Sequence, residues 1–188
     1  MTKNQRYTTI SSLIIFSILF LITNWNGINL TPDSWAYLEA AESLNIGLTL
    51  QKKYTHWPPL YPLILSIGLG NIIWAISLNF ISILLSIIIW LKIGSLKINS
   101  FANFIFYTSF LTLSTPVLAN THFVWSESLF ILLFSLFCYS ILSLNKGRQN
   151  DLLFYSAGIL MCYQRNIALF LMIGFILFSL FDKNRKII

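Results

Sequence analysis

Long apolar runs separated by short polar breaks make up most of this chain, and the breaks place its elements. Thr9 to Asn24 reads TISSLIIFSILFLITN, which predicts a first helix of membrane character after a basic start at Lys3 and Arg6. The following Asn24-Trp25-Asn26-Gly27 offers no small-x-small cleavage pattern, so the segment reads as an uncleaved crossing with a cytoplasmic N-terminus. Residues 25–59 then turn polar and aromatic, forming an outer loop. Within it Thr31-Pro32-Asp33 has the form of a helix start, with Thr31 as cap, Pro32 in the first turn and Asp33 favoured by the helix dipole. Asp33, Tyr37, Ala40 and Leu44 fall on one helical face, Gly47 ends the helix, and Pro58, Pro59 and Pro62 lead back to the membrane.

Leu60 to Trp90 is too long for one crossing. Gly68-Leu69-Gly70-Asn71 divides it into a short juxtamembrane helix and a crossing from Ile72 to Leu91. A turn over Lys92 to Lys97 follows. Phe101 to Leu118 is expected to cross outward, Pro116 and Asn120-Thr121-His122 to form a polar turn, and Val124 to Leu144 to return. The last block, Leu152 to Phe181, is interrupted by Gln164-Arg165-Asn166 and predicts a hairpin of two short helices. The fold class expected is all-α: a polytopic bundle of about six crossings, residues 1–188 forming one transmembrane domain with a helical first outer loop.

Composition sharpens this reading. Of 188 residues, 56% are hydrophobic and only 10% charged, against roughly 25% charged in soluble domains, which excludes a soluble globular protein or a disordered one. Net charge is +6. Lys3, Arg6, Lys92, Lys97, Lys146, Arg148, Lys183, Arg185 and Lys186 fall on the inner side of this topology, and only Lys52, Lys53 and Arg165 on the outer. That asymmetry is what the positive-inside rule requires, so both termini are assigned to the cytoplasm and the charge needs no nucleic-acid partner. Cys138 and Cys162 sit in apolar runs without metal-like spacing and read as thiols packed as small hydrophobes.

The unusual polar residues collect outside: Asp33, Glu39, Glu42, Lys52, Lys53, His56, His122, Glu127 and Arg165. Glu127 and Arg165 lie at the ends of apolar segments, where an ionised group is costly without a cavity or partner. The planar guanidinium of Arg165 suits a phosphate, and Glu127 could hold a metal, a sugar hydroxyl or that arginine. Blander readings stand beside these. Asp33 could serve only its helix start, Glu127 and Arg165 only a structural bridge, and the histidines only turns. Trp25, Trp35, Trp57 and Trp125 fit an interfacial belt. The chain has no phosphate-cradling glycine loop, zinc spacing or nucleophile elbow. The near absence of ionisable groups inside the crossings, and of any internal repeat, argues against a transporter.

Asp33-Ser34-Trp35-Ala36-Tyr37-Leu38-Glu39-Ala40-Ala41, then Gly47, then Tyr54-Thr55-His56-Trp57-Pro58-Pro59-Leu60-Tyr61-Pro62-Leu63 resembles the first outer loop of the GT-C membrane glycosyltransferases. The nearest likeness is to protein-mannosyltransferase-like and aminoarabinose-transferase-like members, in glycosyltransferase family 39. Ser126-Glu127-Ser128-Leu129-Phe130 resembles that family's second outer-loop acid, and Tyr163-Gln164-Arg165-Asn166 the basic residue of its later hairpin. The resemblance implies hexosyl or pentosyl transfer from a polyprenyl-phosphate donor to a lipid, glycan or protein acceptor at the outer face of the cell membrane. It implies Asp33 as general base, with Tyr37, Lys53, His56, Glu127 and Arg165 binding substrate. Lys52 is a further cation for the phosphate, and Asp33 and Glu127 are candidate ligands should a divalent metal take part; no other cofactor is implied. His56-Trp57 stands where the family often has a basic residue before the Pro-Pro pair. Family members usually continue with more membrane helices, whereas this sequence ends at Ile188. It therefore resembles the N-terminal module, with a second chain a candidate source of the remaining helices; the alternative is a non-catalytic membrane subunit or remnant of the same fold.

Overall fold

The computed structural model describes residues 1–47, 58–142 and 148–181. Among them the structure is helical, and the only β feature is a parallel bridge between Asn29 and Phe123. The helices are α1 (Lys3–Thr23), α2 (Pro32–Gly47), α3 (Leu60–Ile67), α4 (Ile72–Lys97), α5 (Phe101–Leu113), α6 (Thr115–His122), α7 (Glu127–Leu142), α8 (Arg148–Gln164) and α9 (Ile167–Phe181). Lys3–Thr23, Ile72–Lys97 and the stretch Phe101–His122 are long and apolar enough to cross a membrane. At 1.5 Å per residue, α7 and α9 run only about 22–24 Å, short of a hydrocarbon layer about 30 Å thick.

The surface is that of a membrane protein. On α1 the buried positions include Gln5 and Ser12 as well as Phe16 and Phe20, while Ile10, Ile14, Ile18 and Leu21 are exposed. Across the bundle Ser82, Ser86, Ser128, Ser135, Ser140, Thr108 and Thr112 are buried. Small polar side chains let apolar helices approach closely, and several satisfy themselves on their own backbone, as Ser86 Oγ does on the Ser82 carbonyl at 2.7 Å. Water would reverse this distribution; hydrocarbon tolerates it.

Helix α4 packs on α7, α7 on α8, and α1 on α4 and α5; α2 lies on α3 at one end. Two contacts define the ends of the bundle. Gln5 Nε2 donates to the Ile98 carbonyl at 3.2 Å, joining the start of α1 to the end of α4. At the other end Asn29 N donates to the His122 carbonyl at 3.2 Å. Lys3, Arg6, Lys92 and Lys97 thus lie toward one end, and α2, α3, Glu127 and Arg165 toward the other.

Several boundaries differ from the sequence expectation. α1 begins earlier than Thr9 because Thr2 and Gln5 form a reciprocal capping box. Lys92 to Lys97 is the last part of α4 rather than a turn; lysines are favoured near a helix C-terminus. The expected crossing from Phe101 to Leu118 breaks at Ser114, which adopts an extended conformation (ψ 130°), so that Pro116 enters the first turn of a new helix, where its missing N–H costs little. The polar turn expected at residues 120–122 is helical; Asn120 Nδ2 and Thr121 Oγ1 bond back to the Pro116 and Leu118 carbonyls. α7 starts at Glu127 rather than Val124, because Phe123 runs extended beside Asn29 and Trp125 N turns back to the Phe123 carbonyl at 3.0 Å. The breaks at Gly68–Asn71 and Gln164–Asn166 fall where expected. Cys138 and Cys162 are free and half-buried.

Gly68 ends α3 beneath Trp74, whose indole N–H donates to the Ile64 carbonyl at 3.0 Å. A Cβ on Gly68 would stand 2.2 Å from the indole ring and 2.6 Å from Trp74 Cβ. Gly68→Ala is therefore expected to destabilise the chain by about 1–3 kcal/mol through overpacking, read as a lowered unfolding midpoint in detergent.

Candidate functional site

The first turn of α2 is capped as a local unit. Ser34 N donates to Thr31 Oγ1 and Thr31 N to Ser34 Oγ, each at 3.2 Å. Thr31 also accepts the indole N–H of Trp125 at 3.0 Å, and Trp125 stacks on Phe123 with centroids 4.4 Å apart. Asp33 lies in this turn but takes no part in the cap, and it is exposed. Of the face proposed for α2, Tyr37 and Ala40 are buried and Leu44 half-buried; Asp33 stays at the open end.

Tyr37 is the hub. Its hydroxyl donates to Ser126 Oγ at 3.0 Å, and its ring meets Tyr61 edge-on at 5.0 Å. Tyr61 donates to Asn79 Oδ1 at 3.0 Å, and Asn79 Nδ2 donates to the Phe123 carbonyl at 2.6 Å. The buried Gln164 donates through Nε2 to the Ser126 carbonyl at 2.8 Å. One residue further, Arg165 Nη1 donates to Glu127 Oε1 at 2.5 Å, with side chains 38% and 33% exposed. At that exposure solvent screens the pair, so geometry rather than energy is its main contribution. Arg165 is one of the partners considered for Glu127.

Burial is the largest influence on the Tyr37 hydroxyl and pushes its pKa above the ordinary tyrosine value. The hydrogen bond to Ser126 lowers it, the Glu127 carboxylate raises it, Arg165 lowers it and Asp33 raises it. Those signs are what Coulomb's law gives for a phenolate among two anions and a cation. They place Asp33, Glu127 and Arg165, from three separate parts of the chain, within electrostatic reach of one side chain. A cavity of about 600 Å³ opens here, lined by Tyr37, Ser126, Arg165 and Asn166 and by the apolar Pro58, Phe130 and Ile167. Asp33 is not among its described lining residues. Lys52, Lys53, His56 and Trp57 lie outside the described residues.

Among the described residues no group of three His, Cys, Asp or Glu side chains is placed to hold a metal ion. His122 is a helix-end residue whose Nε2 meets Asn29 Nδ2 at 2.8 Å. Trp25 and Trp35 are exposed, as an interfacial belt requires, while Trp125 is bound into the fold. Sequence reasoning quoted Ser126, Gln164 and Tyr61 only within longer motifs, without a role of their own, and passed over Asn79. Asn79, an amide inside an otherwise apolar run, was the signal that could have been weighed. No family model, curated protein or solved structure matches this chain.

Proposed function

We propose that this chain is a six-crossing module of a cell-membrane glycosyltransferase of the GT-C type, with both termini in the cytoplasm and α2 facing outward. The reading takes a hexosyl or pentosyl group from a polyprenyl-phosphate carrier and delivers it to a lipid, glycan or protein acceptor. The observation that carries it is the ion pair of Arg165 with Glu127 at a cavity that Tyr37, Ser126 and Arg165 line together with the apolar Phe130 and Ile167, with the exposed Asp33 one helical turn before Tyr37. Support for the orientation comes from Lys3, Arg6, Lys92 and Lys97 at the end away from α2, in keeping with the inner side that the sequence pattern assigns to nine of the twelve basic residues.

In this scheme the exposed Asp33 removes the acceptor's proton as the acceptor oxygen bonds to the anomeric carbon. The bond from that carbon to the carrier phosphate breaks, and the configuration inverts. Arg165 keeps further guanidinium N–H groups beyond the one given to Glu127, and these offset charge on the departing phosphate. Lys53 and His56 are assigned to the same phosphate by the resemblance alone. Phe130 and Ile167 offer the carrier's first isoprene units an apolar wall.

The test is reconstitution in vesicles with labelled polyprenyl-phosphate hexoses and pentoses. Transfer with inverted configuration is the expected result; no transfer, together with no binding of polyprenyl phosphate, would discard the proposal. One observation favours the non-catalytic alternative: Glu127 already engages the arginine. Under that alternative polyprenyl phosphate binds no more tightly to wild type than to Arg165→Met.

A further inference from the structure

We propose that the knee joining α3 to α4 is a bilayer anchor, with Ile67, Leu69 and Ile73 sunk into hydrocarbon on the side of the membrane where α2 lies, and that it sets the depth of α2. This inference rests on the membrane character of the chain and is independent of sugar transfer.

Tight turns are ordinarily polar, yet this one reads Ile67-Gly68-Leu69-Gly70-Asn71. Its backbone is tied down. Leu69 N donates to the Ser66 carbonyl at 2.9 Å, Asn71 N to the Gly68 carbonyl at 2.9 Å, and the Asn71 side chain accepts from Ile73 N at 2.7 Å. Leu69 and Gly70 are both left-handed, with φ 56° and 70°. Glycine adopts that conformation freely, whereas leucine carries its Cβ there under strain. Leu69 gains little within the fold in return: its side chain is 75% exposed, between Ile67 at 73% and Ile73 at 68%. A glycine at 69 would relieve the backbone and lose little packing in the chain, so whatever favours the leucine lies outside it.

Continuity identifies the occupant. Ile73 heads an exposed row with Ile81, Leu85 and Ile88 along α4, a helix long and apolar enough to cross the membrane. A surface that begins at the knee and runs down a membrane helix is covered by the solvent of that helix. The other side of the knee marks the boundary. There Leu69 and Gly70 border a cavity of about 370 Å³ whose opposite wall carries Trp35, Glu39 and Glu42 of α2. An exposed tryptophan beside carboxylates suits the headgroup level. The knee also transmits its depth: α2 packs on α3, and a Cβ at Gly70 would stand 3.4 Å from the Leu38 carbonyl.

The test uses the full chain with Cys138→Ala and Cys162→Ala, reconstituted in phosphatidylcholine and phosphatidylglycerol vesicles. A nitroxide is placed in turn at Leu69→Cys, Ile67→Cys, Ile81→Cys and Asn26→Cys, with helical circular dichroism confirming the fold. Labels at 69 and 67 are expected to collide with oxygen in preference to a water-soluble nickel chelate, as at 81 but at shallower depth. Collision behaviour like that at the exposed Asn26 would overturn the anchor. So would exclusion of both reagents with spin–spin broadening that disappears on dilution with unlabelled chain, because a second copy would then be the occupant. Leu69→Asp is expected to shift a label at Trp35→Cys measurably toward water; an unchanged depth would refute the control of α2.

Discussion

Asp33→Asn is expected to lower sugar transfer by about 10²–10⁴-fold, the contribution typical of a positioned general base, while leaving membrane insertion and helix content unchanged. The asparagine keeps the side chain's shape and removes the proton acceptor. What makes the variant informative is the cap of α2. The hydrogen bonds that start the helix belong to Thr31 and Ser34, so Asp33 contributes to the fold only through the helix dipole, about 0.3–1 kcal/mol when exposed. A purely structural aspartate therefore predicts a slightly less stable chain with full transfer. A base predicts a normally folded chain without it. Measured transfer rates alongside unfolding midpoints in detergent separate the two, and wild-type rates in the variant would remove Asp33 from the mechanism.

Asn79→Ala should produce the largest loss of stability, about 2–5 kcal/mol, because it orphans the buried Tyr61 hydroxyl, removes one of two bonds to the Phe123 carbonyl and opens a cavity. Asn79 and Tyr61 are fully buried. The amide links the Tyr61 hydroxyl on α3 to the Phe123 carbonyl in the segment leading to α7; its loss strands the Tyr61 hydroxyl, while the carbonyl keeps the Trp125 N–H. Tyr61→Phe removes one of these bonds and should cost less, about 1–3 kcal/mol. Unfolding midpoints in a detergent titration provide the check. The double variant should fall short of the sum, since both substitutions break the same bond. An Asn79→Ala chain as stable as wild type would mean that the amide does not hold α3, and through it Tyr37, in place.

Local signals carried most of the helix plan. Pro32 after Thr31, the Gly68–Asn71 break and Gln164-Arg165-Asn166 act through backbone geometry within a few residues, and each stands at a boundary in the fold. The misplaced boundaries have a common cause. At Ser114 and Phe123 the backbone departs from the helix in short linkers between packed helices, and at residues 120–122 side chains bond back to their own helix; apolar periodicity reports neither. The site was legible only as a set of types. Glu127 and Arg165 stood out because ionised groups at the edge of apolar runs need a reason, and Asp33 through its helix start and the resemblance. Tyr37 was named through the resemblance, but its bond to Ser126 was not foreseen, since the two are ordinary residues separated by 89 positions.

Sequence was sufficient for the membrane class, the helical content and the list of chemically unusual residues, because hydrocarbon thickness, backbone propensity and the cost of buried charge act on short stretches of chain. Tertiary packing decided which of those residues meet. Arg165 reaches Glu127 because α8 lies along α7, and Tyr37 reaches Ser126 because α2 rests on α3, whose Tyr61 is tied by Asn79 to the same linker. Contacts of this kind depend on helix order, crossing and rotation, and amino acids far apart in the chain carry no mark of them until the helices have packed.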